Sequence, residues 1–329
     1  MPGSAGLPRT TSYVRRFFSW FALLSALGAG GFGSAFGVVT DYPFRLVTRE
    51  AGAGYEVTAE NNGPAPITVF ATVTGENFAS DRQWPVTAVV PPYSVLPLGR
   101  FSVGDPAAGA YSFRCNYNFH FGRADAAHDA GAVYRLPFEN GRGFPVSQAY
   151  GGRLTSHANR ANMYAVDFAM PVGTPVIAAR AGTVIDVTLR HSEGGDDIRY
   201  GDKANMVVIA HSDGTLAEYA HLSPGPEMVV PGQRVAAGAL LGYSGRTGYT
   251  AGPHLHFVVS RASVNRGEVG RESLPVQFYS KDPALRFSAR SGTTVWANYG
   301  KPVADTQTAD ADAAGMAKDR NPKAPQRGL

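Results

Sequence analysis

Two histidines, His254 and His256, lie two positions apart in the apolar run Pro253–Val259. Such a run is typical of a β-strand, where residues i and i+2 point to the same face, so we expect the two imidazoles to project side by side. Neutral imidazole is a common zinc ligand. Because histidine pairs of this spacing also occur by chance on exposed strands, the pair is a candidate metal site that needs further ligands.

Candidate partners for this pair lie upstream in the chain. His157 is separated by nine residues from Asp167, which follows the apolar stretch Tyr164–Val166. A carboxylate inside an apolar strand is costly unless it is paired or bound to a cation. A buried salt bridge or a cap at the strand end is the alternative interpretation. A further histidine, His221, lies in the strand-like segment Glu218–Leu222.

Together with their glycine-rich surroundings, these residues follow a recognisable order. The matching elements are His157 with Asp167, Gly173–Val184, His211–Leu222, Val230–Gly248 and Gly252–Phe257. With these elements, roughly residues 131–280 resemble the lysostaphin-type (LytM-like) zinc metallopeptidases, a family of peptidoglycan endopeptidases. The resemblance implies an antiparallel β-sheet domain with zinc bound in a groove.

The resemblance also implies a role for each of the five side chains. His157, Asp167 and His256 would bind one zinc ion per chain, and three protein ligands leave a fourth position for water. His254 would act as general base, and His221 would steady the developing oxyanion or the attacking water.

The spacing between His157 and Asp167 departs from the short-spaced family members, in which far fewer residues intervene. A longer loop can still deliver both side chains to one metal, because lengthening a loop costs little free energy. His191 and His211 are rival ligands. We expect His211 to be exposed, at the Asp213-Gly214 turn.

Two neighbouring segments are candidates for the walls of the groove. The polar insertion Arg190–Gly201 is either a rim loop or a plain solvated hairpin. The segment Gly245–Thr250 could present Thr247 or Tyr249 to a substrate. It lacks the spacing and the lysine of a phosphate-binding loop.

The composition predicts the class of fold that must position these side chains. The 39 glycines and 23 prolines, with 15 tyrosines and 18 phenylalanines, favour many turns and short strands. With 44% hydrophobic residues, the chain is too apolar for a disordered protein. Its single cysteine, Cys115, excludes an internal disulfide and a cysteine-rich zinc finger. We therefore predict a mainly β protein.

The pattern of strands divides the chain into two folded parts. Apolar and polar residues alternate in Gly54–Ala59 and Pro66–Thr74, and Pro91-Pro92 breaks the run Val86–Val90. These segments predict a small antiparallel β-sandwich-like accessory domain at residues 40–130. The LytM-like metallopeptidase domain follows at residues 131–290. The accessory domain could bind substrate, occlude the site or act as a spacer.

Both ends of the chain differ from these parts in composition. Residues 1–39 contain three arginines and no acid, and residues 17–39 are uncharged, which predicts an export signal or an N-terminal anchor. We predict that residues 291–329 form a tail, largely disordered from about residue 303. The protein is therefore expected in the periplasm or cell envelope, secreted or N-terminally anchored.

The net charge of +4 raises the question of nucleic-acid binding. Without the three bases of residues 1–39 the charge falls to +1, so the basic balance is largely that of an export segment. We expect no nucleic-acid partner, and contact with a membrane only if the N-terminal segment is uncleaved. A monomer is expected.

These observations predict an exported zinc-dependent endopeptidase that hydrolyses peptide bonds in peptidoglycan stems or cross-links, by a zinc-bound water with two catalytic histidines. One alternative is a non-catalytic module of the same fold that binds the wall or activates another hydrolase. Another is cleavage of a non-wall peptide, such as a glycine-rich protein segment.

Overall fold

The computed structural model describes residues 42–152 and 156–299, together with the backbone of a short strand at Ser12–Arg16. These residues form strands and two 3-10 turns, Pro106–Ala108 and Ile198–Tyr200, and the described part of the chain has no α-helix. The predicted mainly β fold is confirmed. The predicted export segment lies almost wholly outside the described residues, as do residues 300–329 of the tail predicted at 291–329, whereas Thr294–Trp296 of that tail form a strand. Among the described residues, no helix is long and apolar enough to cross a membrane.

The first eight strands form two four-stranded sheets, which we call the N-terminal sandwich. One sheet has the order β2-β3-β7-β5 and the other β1-β8-β4-β6, with all pairs antiparallel except β1 with β8. The strands are β1 (Ser12–Arg16), β2 (Phe44–Ala51), β3 (Gly54–Asn61), β4 (Ile67–Glu76), β5 (Phe78–Ser80), β6 (Val86–Val90), β7 (Ser94–Val103) and β8 (Ser112–Phe121).

Alternation along β4 places Ile67, Val69 and Ala71 in the core of the sandwich, as the pattern predicts. The two sheets meet through aromatic contacts, including the stacked rings of Phe101 and Phe113, whose centroids are 4.4 Å apart. Thr68, on the other face of β4, is nevertheless fully buried. Its hydroxyl donates to the carbonyl of Gly122 (2.8 Å) and accepts from the amide of Ala124 (2.9 Å), which anchors the segment that leaves the sandwich.

The remaining strands centre on one nine-stranded sheet. Its order is β17-β13-β15-β16-β20-β11-β10-β24, and β21 pairs with β20. These strands are β10 (Gly143–Gln148), β11 (Val166–Phe168), β13 (Gly182–Thr188), β15 (Met206–Ala210), β16 (Leu216–Ala220), β17 (Arg234–Val235), β20 (Leu255–Asn265), β21 (Glu268–Ser273) and β24 (Thr294–Trp296). Smaller sheets join β12 (Pro175–Ile177) to β18 (Leu240–Tyr243), β14 (Gly194–Gly195) to β19 (Gly248–Tyr249), and β9 (Val133–Arg135) to β22 (Gln277–Tyr279) and β23 (Arg286–Phe287).

The two faces of the nine-stranded sheet have different neighbours. Tyr219, Phe257 and Phe168 belong to a large apolar core on one face, together with Phe278. Because side chains alternate along a strand, Asp167, Glu218 and His256 are placed on the opposite face. That face carries the polar residues, and its far end meets the N-terminal sandwich.

The contact between the two parts is a shared apolar core. Ile185, Val208 and Leu216 come from the nine-stranded sheet but pack within the core of the N-terminal sandwich. The side chain of Asn118 adds two hydrogen bonds across the junction, to the carbonyl of Gly267 (3.1 Å) and from the amide of Val269 (2.8 Å). The sandwich is therefore packed against the sheet rather than joined to it by a linker alone.

We expect Phe257→Ala to lower the free energy of unfolding by about 3–5 kcal/mol, because it opens a cavity in the core directly beneath the polar face. Denaturant titration measures this loss. The matched variant Phe257→Leu keeps most of the apolar volume and should lose distinctly less. Equal losses in the two variants would contradict the assignment of Phe257 to a tightly packed core.

Candidate metal and catalytic site

The centre of the site is a pair of residues on adjacent strands. Asp167 of β11 and His256 of β20 are direct partners in the antiparallel register. Both are almost completely buried, and the Asp167 Oδ1 atom lies 2.8 Å from Nδ1 of His256. Strand pairing therefore brings together a carboxylate and an imidazole that are 89 residues apart in the sequence.

His157 joins this pair from the loop between β10 and β11. Its Nε2 atom lies 3.2 Å from Oδ2 of Asp167, and its ring centroid is 5.1 Å from that of His256. The side chain of Gln148 accepts hydrogen bonds from the amide (2.7 Å) and hydroxyl (3.1 Å) of Ser156, which fixes the backbone immediately before His157. The long spacing between His157 and Asp167 thus does not prevent them from meeting.

His254 precedes β20 instead of lying within it. The strand begins at Leu255, so the predicted strand start at Pro253 is wrong by two residues. The His254 Nδ1 atom lies 2.9 Å from the carbonyl oxygen of Gly252, and Nε2 lies 3.8 Å from Oδ2 of Asp167. Since a carbonyl only accepts, the proton belongs on Nδ1 and the lone pair on Nε2.

His221 follows the last residue of β16, and the prediction that it lies in a strand is wrong. Its φ of 62° is in the left-handed region, which ends the strand and turns the side chain back towards the histidine pair. Its ring centroid is 4.6 Å from that of His254. Nδ1 lies 2.7 Å from the carbonyl oxygen of Thr247, so Nε2 again holds the lone pair.

The electrostatics of the site favour an anionic Asp167 and neutral imidazoles at His221 and His256. Burial by itself would raise the pKa of Asp167, but hydrogen bonds with His157 and His256 outweigh it and hold that pKa well below its usual range. Burial, followed by the nearby His254 and His256, lowers the pKa of His221 to about 3. Burial also lowers the pKa of His256, against the opposing effect of Asp167.

Two overlapping groups of side chains could hold a metal ion. The ligand atoms of His157, Asp167 and His256 lie within 4.8 Å of one another, and so do those of His221, His254 and His256. The first group offers two imidazole nitrogens and a negatively charged oxygen, a donor set that fits zinc. The structure thus brings together all five residues singled out from the sequence.

The rival ligands lie elsewhere. Within the described part of the chain, neither His191 nor His211 belongs to a group of potential metal ligands. The expectation that His211 is exposed is wrong, because only 5% of its surface is accessible. Its Nδ1 bonds the carbonyl of Ala181 (2.8 Å), its ring packs edge-on against Tyr134, and burial lowers its pKa to about 4.

The segments that flank the site are tied to each other. The insertion Arg190–Gly201 is not a plain hairpin, because its strand β14 pairs in parallel with β19, just before His254. The interpretation that Thr247 presents its side chain to a substrate is wrong. Thr247 is buried, and its hydroxyl donates to the carbonyl of Leu222 (2.8 Å) and accepts from the amide of Asn205 (3.0 Å).

Two positioning residues, Gln148 and Asn205, escaped the sequence analysis. The fully buried Asn205 side chain donates to the carbonyls of His191 (2.8 Å) and Leu222 (3.2 Å) and accepts from the amide of His191 (2.9 Å). It therefore joins the rim segment to the residue after His221. Neither residue carries a signal in its spacing, because each acts through backbone groups distant in the sequence.

Known proteins share the part of the chain that contains most of this site. The family model described as Peptidase family M23 matches residues 161–268. This range contains Asp167, His221, His254 and His256, and it begins four residues after His157.

Three curated relatives also match part of the chain. Peptidoglycan DD-endopeptidase ShyA of Vibrio cholerae serotype O1 is 42% identical over 91 residues, which is 28% of this chain and 18% of that protein. Glycyl-glycine endopeptidase ALE-1 of Staphylococcus capitis is 40% identical over 100 residues, or 30% of this chain and 25% of that protein. Lysostaphin of Staphylococcus simulans is 32% identical over 133 residues, or 40% and 23%. The match thus spans a quarter or less of the length of these relatives.

We expect Thr247→Val to lower the free energy of unfolding by about 1–3 kcal/mol, because it leaves the buried amide of Asn205 without its acceptor. Thr247→Ser keeps the hydroxyl and is the matched control. Denaturant titration compares the two variants. A valine variant as stable as the serine variant would contradict the structural role assigned to this hydroxyl.

Proposed function

We propose that the protein is an exported zinc-dependent endopeptidase that hydrolyses peptide bonds in peptidoglycan stems or cross-links, on the basis of the match between residues 161–268 and the model of peptidase family M23. The observation that carries the proposal is that the ligand atoms of His157, Asp167 and His256 lie within 4.8 Å of one another. His221 and His254 lie directly beside this group. The five side chains assigned to the proposed metal and catalytic site therefore lie close together.

The substrate class is inferred from the relatives. One is named a peptidoglycan DD-endopeptidase and another a glycyl-glycine endopeptidase, so both names refer to cleavage of peptides. Peptide bonds of the bacterial wall are the substrate we propose for this chain. The buried anionic Asp167 between two histidines favours a metal-dependent hydrolase over a non-catalytic binding module of the same fold.

One zinc ion held by His157, Asp167 and His256 would polarise the scissile carbonyl and lower the pKa of a bound water. The lone pair on Nε2 of His254 can accept a proton and later return it to the leaving amine. His254 suits this role because it is the more exposed of the two histidines outside the ligand set.

His221 contributes in a different way. With its Nδ1 proton directed to the carbonyl of Thr247, Nε2 can only accept a hydrogen bond. Of the two roles considered for His221, orientation of the attacking water therefore fits better than donation to the oxyanion.

Export is the remaining part of the proposal. A wall peptidase has to reach its substrate outside the cytoplasm, and the three arginines followed by an uncharged stretch in residues 1–39 are typical of an export segment. We infer a location in the periplasm or cell envelope.

Purified protein incubated with peptidoglycan should release muropeptides, and a chelator should abolish the release because the site needs its metal. Chromatography of the soluble products with mass analysis measures both effects and identifies the bond that is cut. Re-addition of zinc should restore cleavage. Cleavage that persists in the chelator would refute the metal-dependent mechanism, and no cleavage at all would refute the enzyme.

The roles of the two neighbouring histidines can be separated by substitution. His256→Ala should lose the bound zinc and the activity, whereas His254→Ala should keep about one zinc per chain and lose roughly 10²–10⁴-fold in kcat. Metal analysis and kinetics measure the two quantities on the same samples. His128→Ala, which removes an imidazole outside the site, should match the wild type in both. Loss of zinc from the His254 variant would show that the roles are assigned wrongly.

A further inference from the structure

A cavity of about 810 Å³ lies between the N-terminal sandwich and the nine-stranded sheet. His120 and Phe121 of β8 form part of one wall, and Asp186, Glu218 and Ser260 of the sheet form part of the other. Its volume is within the roughly 300–1,000 Å³ of small-molecule sites in proteins. Within the described residues, its walls do not include the five side chains of the metal and catalytic site.

Glu218 is a buried charged residue in the wall of this cavity. It is only 6% exposed, and its Oε2 atom pairs with Nη1 of Arg271. Its Oε1 atom is buried and has no hydrogen-bond partner among the residues that the structure describes. A buried carboxylate oxygen without a donor is costly, so a ligand that brings a donor here would be stabilised.

A second carboxyl group, that of Asp186, lines the same cavity. Burial, reinforced by the negative charge of Glu218, raises the pKa of Asp186 to about 6. Two carboxylates that repel each other in one cavity favour a positively charged occupant, because a cation is attracted to both.

The rest of the lining selects the kind of cation. Ile185, Val187 and Met206 provide an apolar wall on which methylene groups can pack. Among the described residues, the carboxylates that line this cavity belong to no group of potential metal ligands. Three basic residues, Arg190, Lys203 and Arg271, also line the cavity. Arg271 is paired with Glu218, Arg190 is exposed, and Lys203 lies beside Asp202 (3.9 Å). An aliphatic chain that ends in an ammonium group fits this combination better than a bare metal ion.

The cavity lies on the same face of the sheet as the catalytic side chains. Glu218 is the register partner of Val258, and Ala220 is the register partner of His256, one step further along the same face. Two residues of a strand span roughly 7 Å. A peptide lying along this face with its scissile bond at the histidines could thus place a side chain in the cavity.

We propose that this cavity binds a primary alkylammonium group, with Glu218 and Asp186 as its anionic partners. The group belongs either to an amine-bearing side chain of the substrate peptide or to a free aliphatic diamine. The substrate source rests on the proposed peptidase function, whereas the binding of an amine does not.

Calorimetric titration of the full chain with cadaverine tests the binding directly. We expect saturable binding that is at least about tenfold weaker in Asp186→Asn and in Glu218→Gln. Asp125→Asn removes an exposed carboxylate elsewhere and should bind like the wild type. Because Glu218→Gln removes the negative charge that pairs with Arg271, thermal unfolding is measured on the same samples. If the Glu218 variant fails to fold, the Asp186 variant still tests the proposal, because Asp186 is partly exposed.

Kinetics on wall peptides with a free or an acetylated side-chain amine separate the two sources. If the amine belongs to the substrate, acetylation should lower kcat/KM about tenfold in the wild type but not in Asp186→Asn. If the free and the acetylated peptides are cleaved at equal rates and cadaverine still binds, the occupant of the cavity is a free diamine. Absence of both binding and discrimination would overturn the proposal while leaving chelator-sensitive cleavage intact. Metal-stripped protein should still bind cadaverine, so the cavity can be judged even if the peptidase function fails.

Discussion

A single buried carboxylate, that of Asp167, imposes the constraint on which the rest of the site depends. A negative charge in the interior of a sheet is tolerated only where donors or cations surround it. His157 and His256 supply that surrounding from a loop and from the adjacent strand. The loop must therefore fold back over the sheet and the two strands must keep their register. A shift by one residue would move His256 to the apolar face and remove one of the two histidines that pair with the carboxylate.

Backbone carbonyl groups then set the chemistry of the two remaining histidines. His221 and His254 each direct Nδ1 to a carbonyl oxygen, from Thr247 and Gly252, so both rings present the lone pair of Nε2 to the same space. These carbonyls belong to the segment that precedes β20, and Asn205 and Thr247 connect that segment to the end of β16. The orientation of these two Nε2 atoms is thus a property of the loops as much as of the histidines.

The sequence predicted the mainly β fold because period-2 patterns and glycine-rich turns are local signals. The five residues that meet were predicted from the resemblance of their motifs to the lysostaphin-type family. The predictions from sequence were wrong where a tertiary contact determines whether a side chain is buried. His211 is buried because its ring packs on Tyr134, and Thr247 turns inward because Asn205 needs an acceptor. The left-handed backbone of His221 also has no local signature. Each of these features depends on residues that only the folded chain brings together.

The nine-stranded sheet contributes apolar side chains to the core of the N-terminal sandwich, and this affects how the protein unfolds. Ile185, Val208 and Leu216 are core residues of the sandwich, although they belong to strands of the sheet. Neither part can therefore lose its structure without exposing apolar surface of the other. The two parts are coupled as one cooperative unit, so heating should give a single transition, and a fragment that lacks the sandwich should be prone to aggregate.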